Sequence, residues 1–236
     1  MADFAYPSRI ANATSVAASP RRHAWIVRIT HWIFTLSALG LLVSGIAIIL
    51  AHPRFYWGET GGAGAPSLFD LPLPTMLGGP SGWGRSLHFQ SAWVAVFAGL
   101  VYVLWGGVSG HFAKHLIPSA KEFSWIAIRA SVIEHLHARK PTGDYNVLQK
   151  AAYLFVIFVM LPLFIDTGFA MSPAITSVFP QFVTLFGGHQ TARTLHFFLS
   201  IVLVLFVIAH VGMVILAGFR SRMRAMITGD EGRGRA

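Results

Sequence analysis

Four long apolar segments constrain the fold of this chain more than any other feature of the sequence. They cover about residues 29–51, 87–108, 147–171 and 194–218. Each is close to the roughly 20 apolar residues that a helix needs to cross the hydrocarbon core of a bilayer. Only 11% of all residues are charged, against about a quarter in soluble domains. We therefore predict an all-α integral membrane protein built as a four-transmembrane-helix bundle.

The positive charges give this bundle an orientation. Of the 18 Lys and Arg residues, only Arg54, Arg85 and Arg193 lie in the connections that follow the first and third segments. The others lie in or next to the N-terminal region, the central connection and the C-terminal region, and short regions rich in Lys and Arg stay in the cytoplasm. We predict that both termini are cytoplasmic. The net charge of +9 then reflects topology and contact with anionic lipid, not binding to nucleic acid.

The same reasoning divides the chain into three parts. Residues 1–23 form a cytoplasmic arm, residues 24–219 the membrane domain and residues 220–236 a basic cytoplasmic tail. In the central connection, residues 119–137 place apolar and charged side chains at helical spacing, which predicts an additional amphipathic helix on the cytoplasmic membrane surface. The first external connection, residues 52–84, is rich in Gly and Pro and therefore favours turns.

The fourth segment carries two histidines, His196 and His210, which are fourteen residues apart. At about 100° per residue their side chains return to within about 40° of one helix face, separated by about 21 Å along the axis. Histidine within a membrane segment is costly and usually marks a functional site. We therefore expect two sites at two depths of the membrane.

A short repeat supplies a partner at each depth. The pattern Arg-x-x-His, followed by an aromatic residue, recurs at the start of the first, second and fourth segments, in Arg28 to Trp32, Arg85 to Phe89 and Arg193 to Phe197. In the predicted orientation, His31 lies near the cytoplasmic surface and His88 near the outer surface. The expected pairs are therefore His31 with His210 and His88 with His196.

Two histidine pairs in a four-helix bundle are typical of two haems, each held by two axial imidazoles. Each arginine of the repeat lies three residues toward water from its histidine, where its guanidinium can bind haem propionates. We assign Arg85 and Arg193 to the outer haem and Arg28 to the inner haem. The chain has no cysteine, which excludes thiolate-held clusters and the attachment of c-type haem. Zinc is the main alternative for either pair, but a structural zinc site requires four protein ligands.

Seven other histidines have weaker claims to a function. Five lie in connections or at membrane surfaces, where a solvated side chain is the simplest interpretation, namely His23, His52, His135, His137 and His189. His111 and His115 follow the cytoplasmic end of the second segment. They are candidates for a pocket near the inner haem or for carrying protons.

These features resemble the bacterial di-haem cytochrome b family of the cytochrome b561 type, which includes membrane subunits of nickel–iron hydrogenase, formate dehydrogenase and thiosulfate reductase. The resemblance covers about residues 24–219. It rests on the four intramembrane histidines and on short motifs, namely His31-Trp32, His-Pro-Arg-Phe-Tyr-Trp-Gly-Glu-Thr-Gly from His52, Arg85-x-x-His88, Ser109-Gly-His-Phe112, Tyr145-Asn-Val-Leu-Gln149 and Gly168-Phe-Ala-Met-Ser-Pro173. The thiosulfate-reductase-like branch, commonly paired with an external molybdopterin enzyme, looks most similar. The family implies the same ligand pairing between helices as the depth argument.

The resemblance implies an electron-transfer subunit of an oxidoreductase complex in the bacterial inner membrane. It would carry two b-type haems and move electrons between a periplasmic oxidoreductase subunit and membrane quinone. His111, Tyr145 and Asn146 are candidates for hydrogen bonds to the quinone carbonyls. Two alternatives remain open: a stand-alone quinone-linked superoxide oxidase, as some short family members are, and a non-redox transporter or assembly protein with structural histidines. The last of these would be colourless.

Overall fold

The computed structural model describes residues 23–62, 64–73, 80–118, 129 and 147–230. Within them, four helices are long and apolar enough to cross a membrane. The prediction of an all-α, multi-pass membrane bundle is confirmed. The amphipathic helix expected for residues 119–137 lies outside the described residues except for Arg129, as does the arm before His23.

Helices α1 (Trp25–Ala51) and α2 (Pro80–Val108) pack along their length as the first hairpin of the bundle. Small residues bring the two backbones together, and a Cβ atom at Gly84 would lie 3.1 Å from the Cβ atom of Ala47. In lipid, such close packing of small residues is a main source of helix association. Helix α2 begins about two turns before the position that the apolar pattern predicts. A proline such as Pro80 is well suited to the first turn of a helix, because its missing N–H has no partner there.

Helix α3 (Val147–Met171) is the third membrane helix and is locally widened. A π-helical segment, Val156–Met160, ends two residues before Pro162. Proline lacks the N–H that would bond to the carbonyl four residues earlier, and its ring crowds that carbonyl. The wider turn accommodates both effects, so the helix continues through the proline instead of ending there.

Two short helices, α4 (Pro173–Thr176) and α5 (Gln181–Leu185), lead to the fourth membrane helix, α6 (His189–Leu216). Helix α6 begins directly after Gly188, whose φ is +125°. A Cβ atom at Gly188 would overlap the backbone of Gly58, so this crossing requires glycine. Helices α3 and α6 pack as the second hairpin, and the two hairpins approach each other less closely than the helices within each.

The connection between α1 and α2 folds onto α6. It contains two antiparallel two-residue strands, β1 (Arg54–Phe55) and β2 (Phe69–Asp70). The ring of Phe55 is 2% exposed and lies 4.5 Å from the ring of Phe197, between centres. The buried Thr194 Oγ1 donates a hydrogen bond of 2.8 Å to the carbonyl of Tyr56. We call this end of the bundle the hairpin end, after the paired strands β1 and β2 and not after the two helical hairpins.

The opposite end, which we call the tail end, is covered by helix α7 (Phe219–Thr228). Most of the described part of the basic tail is therefore helical. Its last turn packs on α1, where Arg28 Nη1 donates to the carbonyl of Ile227 at 2.9 Å and Trp32 Nε1 to that of Met226 at 3.2 Å. The first and last described residues thus lie at the same end of the bundle.

Candidate functional site

The four intramembrane histidines meet between the two helical hairpins. The structure brings His88 of α2 to His196 of α6, with 6.2 Å between ring centres. It brings His31 of α1 to His210 of α6, with 6.4 Å between ring centres. We call these the hairpin-end pair and the tail-end pair. They are the two pairs that the sequence predicts, and ligation of haem by them remains a prediction.

These separations fit a metal ion held between two imidazoles. With metal–nitrogen bonds of about 2 Å, the centres of two axial imidazole rings lie about 6.3 Å apart. Both pairs are within 0.2 Å of that value. Among the described residues, no group of three or more His, Asp or Glu side chains could hold a metal ion. The pairs therefore fit haem iron, which needs two axial protein ligands, better than a structural zinc ion, which needs four.

The outward-facing nitrogens of the hairpin-end pair are held by two hydroxyl groups. Ser44 Oγ of α1 lies 3.0 Å from His88 Nδ1, and Thr167 Oγ1 of α3 lies 2.9 Å from His196 Nδ1. Both hydroxyl-bearing residues have no exposed surface. A bond at Nδ1 leaves Nε2 as the nitrogen that can bind a metal.

Two glycines keep space open beside the same rings. A Cβ atom at Gly168 of α3 would lie 3.9 Å from His196 Cε1, and one at Gly45 of α1 would lie 4.0 Å from His88 Cε1. The ring of Phe164 meets His196 edge-on, with 4.6 Å between centres. Because Gly168 and Gly45 have no side chains, they leave room on one side of each ring, which suits a flat macrocycle.

The tail-end pair is held differently. His31 meets the edge of Trp32, with 5.5 Å between ring centres, and His210 stacks on Phe206 with 6.2 Å between centres. His31 Nδ1 is buried and has no hydrogen-bond partner within the described part of the chain. The rings of the tail-end pair are therefore positioned by aromatic packing, whereas the rings of the hairpin-end pair are positioned by hydrogen bonds.

The predicted propionate-binding arginines lie at the ends where their histidines are. Arg193 donates to the carbonyl of His52, and its guanidinium lies 4.9 Å from the centre of the Phe55 ring. Burial lowers the pKa of His52, and the nearby Arg193 and Arg85 lower it further. Two guanidinium groups therefore lie close to His52 at the hairpin end, where they can pair with the carboxylates of a haem. At the tail end, Arg28 already binds the carbonyl of Ile227, but its Nε is buried with no partner among the described residues.

The structure describes only some of the residues predicted to bind quinone. His111 lies in an aromatic environment, with its ring centre 5.1 Å from that of Trp105 and 6.4 Å from that of Tyr102. Tyr145 and Asn146 lie outside the described residues, as does the side chain of His115. Ser44 and Thr167 are the functional candidates that reasoning from the sequence missed. The available signal was a polar side chain inside an apolar membrane helix, which must find a hydrogen-bond partner.

Fold and site together define a class of protein: a membrane-embedded helical bundle with two paired-imidazole sites, each suited to haem. The comparisons with known proteins agree. The family described as prokaryotic cytochrome b561 matches residues 22–229, and the chain belongs to this family. It is therefore a membrane cytochrome of the b type that functions in electron transport, and the family predicted from the sequence is confirmed.

Two known proteins are similar to this chain over most of its length. The YedZ1 protein of Azospira oryzae, described as a candidate subunit of a protein-methionine-sulfoxide reductase, is 32% identical over 195 residues, covering 81% of this chain and 88% of the relative. A protein of Bradyrhizobium diazoefficiens is 24% identical over 225 residues, which cover 87% of this chain and 83% of the relative. It is described as a candidate b-type cytochrome subunit of a Ni/Fe-hydrogenase. The closer similarity to the thiosulfate-reductase-like branch stays a prediction.

Proposed function

We propose that this chain binds two b-type haems and conducts electrons across a bacterial inner membrane. His88 and His196 bind the haem at the hairpin end, and His31 and His210 bind the haem at the tail end. The observation that carries the proposal is the presence of two imidazole pairs, each at the ring separation expected for axial ligands of one iron. By the distribution of Lys and Arg, the hairpin end faces the outside and the tail end the cytoplasm.

When bound, each haem supplies one-electron redox chemistry, and the protein determines where and how tightly it is held. The imidazoles of each pair would hold the haem iron, and helix packing fixes the distance between the two rings. Arg193 and Arg85 offset the propionate charges at the hairpin end, and Arg28 Nε is available to an anionic group at the tail end. The two levels are about 21 Å apart along α6, so each haem serves one surface of the membrane.

We further propose that the hairpin end docks an external redox protein. The connections at this end carry exposed apolar side chains, namely Trp57, Leu68, Val178 and Leu185, which are 56–68% exposed. Exposed apolar groups of this kind are a common mark of interaction surfaces. Both relatives are described as subunits of oxidoreductases, which supports a partner of that class.

Quinone is the proposed electron carrier at the tail end. The aromatic surroundings of His111, formed by Tyr102, Trp105 and Phe112, suit a flat ring, and the imidazole can bond to a carbonyl oxygen. Phe158 of α3 closes one side, with its ring centre 5.3 Å from that of Phe112. Tyr145 and Asn146 remain further candidates on sequence grounds. Loss of quinone reduction in His111→Ala, with both haems retained, is the expected result.

The haem assignment is tested by spectroscopy of the purified protein and of four single variants. We expect two b-type haems per chain. His88→Ala and His196→Ala should remove one common spectral component, and His31→Ala and His210→Ala the other. Loss of a shared component in His88→Ala and His31→Ala would contradict the pairing, and a colourless wild-type protein would contradict haem binding altogether.

A further inference from the structure

Each of the two hydroxyls at the hairpin end has a backbone carbonyl that can take its own hydrogen, which leaves its oxygen able to accept a hydrogen bond from the histidine. Ser44 Oγ donates its own hydrogen to the carbonyl of Gly40 at 2.6 Å. Thr167 Oγ1 does the same toward the carbonyl of Leu163, at 2.9 Å. A hydroxyl has one hydrogen, so while it donates to the carbonyl, its bond to the ring uses an oxygen lone pair and the hydrogen on Nδ1. This arrangement favours the tautomer in which Nε2 is the unprotonated, metal-binding nitrogen.

The same contact between a hydroxyl and a histidine occurs in both helical hairpins, α1 with α2 and α3 with α6. In the first hairpin, Ser44 on α1 holds His88 on α2. In the second, Thr167 on α3 holds His196 on α6. In each case the hydroxyl belongs to the neighbouring helix and is fully buried, so water does not compete for the bond. At the tail end, by contrast, His31 Nδ1 has no hydrogen-bond partner among the described residues.

We propose that Ser44 and Thr167 are positioning residues that tune the haem at the hairpin end. This inference rests on the proposed function. An acceptor on Nδ1 orients an axial imidazole and makes its metal-binding nitrogen more basic. A more basic ligand stabilises oxidised iron over reduced iron, so these two bonds lower the reduction potential of the hairpin-end haem. The two haems then differ although each has two histidine ligands.

Thr167 offers the cleanest test, because two substitutions separate its oxygen from its volume. Thr167→Val keeps the shape and removes the acceptor, whereas Thr167→Ser keeps the acceptor and removes a methyl group. In a potentiometric titration of the purified full-length protein, we expect Thr167→Val to shift the reduction equilibrium of one haem toward the reduced form by about threefold to tenfold, the scale of one neutral hydrogen bond. For a one-electron couple this is an increase of about 30 to 60 mV. Thr167→Ser should keep the wild-type potential, and the second haem should not respond to either variant.

Ser44→Ala should shift the same spectral component in the same direction. The matched control is Ser37→Ala, because Ser37 is a buried serine two turns earlier on α1 that bonds to the carbonyl of Ile33 at 2.9 Å. We expect no shift for this control. If Thr167→Val loses one haem while Thr167→Ser retains it, the positioning role is equally supported.

Three results would overturn the inference. They are equal shifts in Ser44→Ala and Ser37→Ala, shifts of different haems in Ser44→Ala and Thr167→Val, and unchanged potentials in a protein that still holds two haems. The last result leaves the proposed function intact. Absence of haem from the wild-type protein would contradict the proposed function itself, so the two failures are distinguishable.

Discussion

The two ends of this bundle hold their histidine pairs by different physical means. At the hairpin end, both rings are held by buried hydroxyls, and a folded connection packs on α6 through the contact of Phe55 with Phe197. At the tail end, rings are held by aromatic neighbours, and Nδ1 of His31 is buried without a described partner. Identical ligand types therefore do not produce identical sites. The fold preorganises the hairpin-end pair, whereas ligand orientation at the tail end depends more on the bound group.

The largest difference between the ends should follow from filling the space beside His196. Gly168→Leu places a branched side chain against the ring, because even a Cβ atom would lie 3.9 Å from Cε1. We expect the hairpin-end haem to be lost and the tail-end haem to remain, which a haem-to-protein ratio measures. Gly99→Leu is the control, since a Cβ atom at Gly99 has no neighbour within 4 Å. Retention of both haems in Gly168→Leu would contradict the proposed location of the macrocycle.

A smaller effect is expected from loosening the connection over the hairpin end. Thr194→Val removes a buried 2.8 Å bond and leaves the carbonyl of Tyr56 without its donor. Leaving a buried acceptor unsatisfied costs about 1–3 kcal/mol. Thermal release of haem, followed by absorbance, should become easier for the hairpin-end haem alone. Thr35→Val is the control, because Thr35 bonds to the carbonyl of His31 on its own helix. Equal destabilisation of both haems would argue against a local role.

The tail end should respond to the contact between α1 and α7. Trp32→Phe keeps an aromatic ring beside His31 but removes the 3.2 Å bond from Nε1 to the carbonyl of Met226. We expect a loss of about 0.5–1.5 kcal/mol in the docking of α7. Faster hydrogen exchange within residues 219–228 is the measurement, with the hairpin-end haem unaffected. Unchanged exchange there would show that Arg28 alone holds the helix.

The smallest effect concerns pH at the hairpin end. Burial and the nearby Arg193 and Arg85 lower the pKa of His52 below its usual 6.5. The unfolded chain therefore takes up a proton before the folded chain does, and stability falls as the pH drops from about 6.5 through the lowered pKa. His52→Gln should flatten this part of the stability profile measured by thermal unfolding. A steeper profile in the variant would contradict the sign of the shift.

Much of the bundle could be predicted because membrane helices are specified by local composition. The histidine pairing followed from two further facts, the spacing of His196 and His210 and the side on which Lys and Arg accumulate. The hydroxyl partners could not be predicted, because they depend on the rotation of one helix against its neighbour. Ser37 and Ser44 look equivalent in the sequence, yet only Ser44 meets a histidine. Docking of α7 on α1 also depends on contacts between residues nearly 200 positions apart.

The widened turn in α3 has a consequence for how its residues align with the rest of the bundle. An extra residue in one turn shifts the angular phase of everything after it by about 100° relative to a regular helix. Val156–Met160 is such a turn, so the two halves of α3 follow different angular frames. A helical wheel drawn through the whole span rotates Thr167 and Gly168 away from His196, although the structure places both beside it. The side chains of α3 that follow Pro162 therefore face α6 at an angle that differs from the one a regular helix would give them.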